Sequence, residues 1–126
     1  MTTEATAEKE TTVDAGEYMP VIEALRQKHA IDIDFIDLKA VSGFADAFII
    51  ATARSEINAS ALLDAATDAL EKMGFEYKVE GEASSRWKLV DAGNTIIHIF
   101  SKAGREFYKL ERLWGDAHTI RFESEE

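Results

Sequence analysis

The sequence predicts a single α/β domain in which helices pack on a mixed sheet, and three observations carry that expectation. Segments of helical and strand periodicity alternate along the chain. Two strand-like runs, 87–91 and 95–100, flank the short hairpin-forming loop Ala92-Gly93-Asn94, so that pair should be antiparallel. Finally, 126 residues with 46% apolar content and one proline suffice to bury one core of ordinary size.

Taken in order, residues 1–17 hold five acids, one lysine and almost no apolar side chain larger than alanine. Such a segment cannot offset the entropy of ordering, and a disordered acidic N-terminal tail is expected. The folded domain should then run over 18–119, with a short acidic C-terminal tail at 120–126. A first helix is predicted from near Tyr18 to near Ala30, with Pro20 in the first turn, where its missing N–H costs nothing, and Val21, Ile22 and Leu25 as an apolar stripe. Ile31 to Leu38 reads as a strand in which Ile31, Ile33 and Phe35 alternate with Asp32 and Asp34. Val41-Ser42-Gly43 marks a turn, and Asp46 to Ala53 reads as a buried strand.

Ser55 is placed to cap a helix reaching Met73, with Ile57, Leu62, Ala65, Ala66, Ala69, Leu70 and Met73 at helical spacing and Gly74 as the left-handed stop. Phe75 to Glu80 alternates as a strand with one wet side. After the hairpin, a last helix is expected over Lys102 to Leu113, with Ala103, Phe107, Leu110 and Trp114 on one stripe, Gly115 at its end and Gly104 as a weak point near its start.

Composition narrows function. The formal charge of −10 is opposite to what a protein gripping phosphate backbones needs, which disfavours direct nucleic-acid binding. The core of the chain carries −4 of this, the rest lying at the ends. With no cysteine, disulfides, zinc-thiolate sites and thiol nucleophiles are excluded, as suits a cytoplasmic chain. No apolar run approaches membrane-span length and no basic, apolar leader opens the sequence, so a soluble protein is expected.

Catalytic signals are poor. Asp32 and Asp34, two apart on a strand, point the same way and offer a divalent-cation pair of the nucleotidyl-transfer kind. That alternative, a metal-dependent nucleotidyltransferase-type enzyme, lacks the Gly-Ser turn that should precede the pair, so a solvated strand face is the expectation. His98, set in an apolar strand, reads as a packed core histidine, and the histidines at 29, 98 and 118 lack the spacing of a metal site. Ser55 has no nucleophile elbow around it. No cofactor or metal is expected. Interaction signals are stronger: Trp87 opens a strand after a polar segment, and Asp91, Asn94, Arg105, Tyr108 and Glu111 suggest a polar rim around the hairpin and final helix.

Several blocks carry a resemblance. They are Asp37-Leu38, Asp46-Ala47-Phe48-Ile49-Ile50-Ala51-Thr52, Glu80-Gly81, the hairpin from Trp87 to Phe100, and Arg105-Glu106-Phe107-Tyr108-Lys109-Leu110-Glu111-Arg112-Leu113-Trp114. Occurring in order over residues 18–118, they make the chain resemble the ribosomal silencing factor family, RsfS, also called Iojap. The resemblance implies an α/β domain with a mixed five-stranded sheet of nucleotidyltransferase-like topology but without that activity. It implies a translation repressor that binds protein number fourteen of the large ribosomal subunit, on the intersubunit face, and blocks joining of the small subunit when nutrients run short. A homodimer is a further implication. Carried over by motif, the partner-binding residues are Trp87, Asp91, Asn94, His98, Arg105, Tyr108 and Glu111. The hairpin tip departs from the family pattern at Ala92 and Asn94, and Gly104 replaces a helix former.

Overall fold

The computed structural model describes residues 16–40, 45–109 and 117–122. Within them a 3-10 turn at Gly16–Tyr18 leads into α1 (Met19–Gln27), followed by β1 (Ile31–Asp37), β2 (Ala47–Thr52), α2 (Glu56–Lys72), β3 (Lys78–Glu80), β4 (Trp87–Asp91), β5 (Thr95–Phe100), α3 (Lys102–Tyr108) and β6 (His118–Phe122). The strands form one mixed sheet in the order β3-β4-β5-β2-β1-β6. Only β2 and β5 run parallel; every other neighbouring pair is antiparallel.

Six strands stand where five were expected. The sixth, β6, pairs antiparallel with β1 from Ile33↔Phe122 to Asp37↔His118, so residues 120–122, expected in an acidic tail, belong to the sheet. Their short alternating run, Thr119-Ile120-Arg121-Phe122, is too brief to announce a strand without the partner edge that β1 supplies.

The two sheet faces differ in character. On the first, α1 and α2 bury Val21, Ile22, Leu25, Leu62, Ala66 and Leu70 against Ile33, Phe35, Ile49, Ile97 and Ile99 of the strands. Serine caps α2 as its position in sequence predicts: Ser55 Oγ accepts from Asn58 N at 3.0 Å, and Gly74, with φ +82°, turns the chain out of the helix. Helix α1 stops at Gln27, where His29 takes the left-handed conformation. The open carbonyls beyond its end are covered from the start of α2, by Asn58 Nδ2 on Lys28 O and Arg54 Nε on His29 O. Ile57, expected in the apolar stripe of α2, is 85% exposed, since nine residues of helix place it roughly 180° around from Ala66.

A smaller cluster lies on the other face, made of Ile36, Leu38, Ala45, Phe48, Ile50 and Phe100. Helix α3 packs there, and it also departs from expectation. It ends at Tyr108, with Lys109 left-handed at φ 48°, and buries Gly104 while Phe107 remains 71% exposed. A Cβ on Gly104 would lie 2.5 Å from Arg86 O, so the glycine that looked like a weak point is what lets α3 approach the strand. The expected continuation to Leu113, with Leu110, Glu111 and Trp114, lies outside the described residues, as does the turn at 41–43.

The pair Asp32/Asp34 does not form the solvated face expected of it. Asp32 adopts φ +50° at a register shift in β1, and Asp34 is 3% exposed. Both Asp34 oxygens are occupied by guanidinium groups: Arg105 Nη2 donates at 2.7 Å, and Arg121 Nε and Nη2 donate at 2.6 and 2.8 Å. Arg105 further donates from Nη1 to Asp32 O and Thr52 Oγ1. One buried carboxylate thus joins β1, α3 and β6.

Removing that carboxylate takes from the nearly buried Arg105 guanidinium the charge that Asp34 sets against it. Asp34→Ala is expected to cost about 3–5 kcal/mol of unfolding free energy, whereas Arg121→Ala, at the more open arginine, should cost less. Urea denaturation of the three proteins checks the order, and equal losses would contradict it.

Candidate functional site

The face opposite α1 and α2 is built by strand alternation. Trp87, Leu89 and Asp91 of β4 share it with their cross-strand partners Phe100, His98 and Ile96 of β5, and with Phe48 and Ile50 of β2 beyond. Phe48, Ile50, His98 and Phe100 are buried, while Trp87, Leu89 and Ile96 remain half-buried. The accessible apolar strip therefore follows β4 and the near side of β5.

Trp87 is held from several sides. Its ring lies 4.6 Å from Tyr108, 5.2 Å from Phe100 and 5.8 Å from His98 between centroids. Its indole Nε1 donates to His98 Nδ1 at 3.0 Å, and its backbone N donates to Ser84 Oγ at 3.2 Å. The preceding loop is itself secured. Lys88, buried beside the tryptophan in sequence, donates from Nζ to the carbonyls of Glu82 and Ser84. Gly81 turns with φ +71°, and a Cβ there would meet Trp87 O at 2.6 Å, so only glycine lets the chain pass this close to the start of β4.

His98 is 3% exposed, in edge contact with Phe48 at 4.5 Å and stacked on Phe100. Because an indole N–H can only donate, Nδ1 is the bare nitrogen and the neutral ring carries its proton on Nε2. That Nε2 is buried with no hydrogen-bond partner among the described residues. Burial lowers the imidazole from its ordinary 6.5 to about 4.

The residues expected to form one site separate into groups. Trp87, His98 and Tyr108 meet at the α3 end of the face. Asp91 and Asn94 lie at the opposite, hairpin end of β4: Asp91 Oδ1 accepts from Gly93 N at 3.0 Å, and Asn94 O accepts from Asp46 N at 2.7 Å. Arg105, expected in a polar rim, turns inward to Asp34 with its side chain 11% exposed. Glu111 lies outside the described residues. Leu89 and Ile96 were not singled out as site residues; the period-two pattern that places Trp87, Leu89 and Asp91 on one side was the signal available.

Among the described residues no group of three or more His, Asp or Glu side chains is placed to hold a cation. At the one sequence-suggested pair, arginines occupy the positions a cation would need around Asp34. Nor does any helix among the described residues have the length and apolarity to cross a membrane.

Comparison with known proteins gives a consistent result. The family model described as "Ribosomal silencing factor during starvation" matches residues 11–126. The chain is 35% identical over 103 residues to ribosomal silencing factor RsfS of Halalkalibacterium halodurans, covering 81% of this chain and 88% of that protein. It is 38% identical over 95 residues to RsfS of Bacillus subtilis, covering 75% and 80%. A crystal structure of a Chromobacterium violaceum protein superposes with a TM-score of 0.75 at 32% identity, covering 79% of this chain and 83% of that one.

The histidine makes a pH prediction. Between pH 6.5 and about 4 the unfolded chain takes up a proton at His98 that the folded chain refuses, so stability falls as pH drops through that window. The full displacement corresponds to roughly 3 kcal/mol. Urea midpoints measured from pH 7 to 4 should therefore fall more steeply for the native sequence than for His98→Asn, and parallel curves would refute the assignment.

Proposed function

The chain belongs to the ribosomal silencing factor family, a family of translation regulators rather than enzymes, and we propose that it binds the large ribosomal subunit and keeps the small subunit from joining. Its receptor in this reading is protein number fourteen of the large subunit, on the intersubunit face, and the outcome is repression of translation when nutrients run short. The work is done in the cytoplasm, where free subunits meet.

The observation that carries the reading is the Trp87 strip. A tryptophan held by Tyr108, Phe100 and His98, with half-buried Leu89 and Ile96 farther along the same face, is the kind of rigid aromatic anchor that dominates protein interfaces. Charge supports the choice of target. At −10 the chain is repelled by ribosomal RNA and drawn to a basic ribosomal protein, which speeds encounter and makes binding weaken with salt. Once seated, the domain acts by occupying volume that the small subunit needs for its bridges, and no bond is made or broken.

Adding the purified protein to separated subunits should lower the yield of joined ribosomes in sucrose gradients; no change at saturating protein refutes the proposal. Trp87→Ala should fold and bind the large subunit roughly thirtyfold more weakly, the equivalent of about 2 kcal/mol. Undiminished binding by that variant would remove the strip from the interface.

A further inference from the structure

The Trp87 ring has one polar atom, and the protein turns it inward. Its Nε1 donates to His98 Nδ1 at 3.0 Å. The acceptor is not free to move, because His98 sits within β5 opposite Leu89 and Ile50, with Phe48 against its ring edge at 4.5 Å and Phe100 stacked beside it. Tyr108 and Phe100 bound the indole on other sides, and Ser84 holds the backbone from which it projects. Orientation, and not merely burial, is thereby determined.

A histidine is an expensive residue to place here. Accepting the indole proton at Nδ1 leaves Nε2–H buried without a partner among the described residues, and a buried unpaired donor opposes folding. Leucine or phenylalanine would suit an apolar strand face without that penalty. Neither could accept the indole N–H, and that capacity separates histidine from an ordinary core residue at this position.

Resting on the reading that Trp87 is the ribosome-facing anchor, we infer that His98 is a positioning residue for it: by accepting the indole N–H it fixes the ring and leaves only the apolar flank to the partner. The matching surface on the partner is accordingly aliphatic, including the methylene stems of its lysines and arginines, and not a hydrogen-bond acceptor. The arrangement also prepares the anchor in advance, so little side-chain entropy is lost when the partner arrives. Because the ring keeps its N–H bond both free and bound, docking leaves no indole donor stranded in the interface.

Full-length protein and purified large ribosomal subunits test this through a double-mutant cycle. His98→Leu should weaken binding about tenfold when Trp87 is present but less than threefold in a Trp87→Phe background, where there is no N–H to hold. His98→Asn, whose amide oxygen can stand near the position of Nδ1, should restore most of the loss. Equal effects of His98→Leu in both backgrounds would overturn the inference. Should His98→Leu not fold, nitrogen NMR of the native chain decides instead. The Trp87 indole N–H, identified by its disappearance in Trp87→Phe, should be protected from hydrogen exchange, and His98 should carry its proton on Nε2. Free exchange of that indole, or a proton on Nδ1, sinks the inference. No ribosome is present in the NMR arm, so unchanged binding by Trp87→Ala would defeat the functional reading separately, leaving His98 as the holder of a ring that is not an anchor.

Discussion

The second face of the sheet depends on one buried carboxylate. Asp34 accepts from Arg105 on α3 and from Arg121 on β6, while its own backbone lies in β1. Three elements far apart in sequence therefore share a single ionic junction. Desolvating a carboxylate and a guanidinium costs several kcal/mol per ion, and charge-assisted bidentate geometry offsets this without a large surplus. Such a junction contributes specificity of arrangement more than net stability. It determines where α3 lies, and with α3 it places Tyr108 against Trp87.

The two sheet faces consequently do different work. Between the sheet and its two longer helices, aliphatic side chains from α1, α2 and four strands interlock in a core that needs nothing beyond burial. On the other face aromatic and polar side chains stand among the aliphatic ones, and several are restrained by directional contacts: an indole–imidazole hydrogen bond, an edge-on phenylalanine, and a serine hydroxyl under the strand entrance. Directional contacts hold a half-exposed ring in one orientation, which hydrophobic burial alone does not. A binding surface benefits from that rigidity, because ordering a mobile side chain at the moment of docking subtracts from affinity.

Charge and shape then divide the task of recognition. Much of the acidity is carried by residues near the two ends of the chain, and its field acts over about a Debye length, roughly 8 Å at physiological salt. In the proposed function it steers approach and disfavours nucleic acid without forming any particular contact. In the proposed function the Trp87 strip acts at contact distance and supplies specificity. Neither suffices alone: an acidic surface without an anchor binds basic proteins indiscriminately, and an apolar strip without the field is an aggregation hazard.

Local pattern made most of the secondary structure legible. Strands β4 and β5, their hairpin, and α2 with its Ser55 cap and Gly74 stop follow from periodicities of two and 3.6 and from turn chemistry, all of which act within a few residues. The family blocks were equally readable, because Gly81, Trp87 and His98 are adjacent links of one local assembly. What escaped was non-local. Asp34 and Arg121 are separated by 87 positions, and neither residue announces the other. Without that pairing, Asp34 reads as a wet strand residue, Arg105 as part of a rim, and residues 120–122 as tail. The sequence by itself therefore determined which segments coil or extend and to which family the chain belongs. Only the tertiary structure decided which charges are buried, since the desolvation cost of a charge can be judged only when the atoms facing it are known.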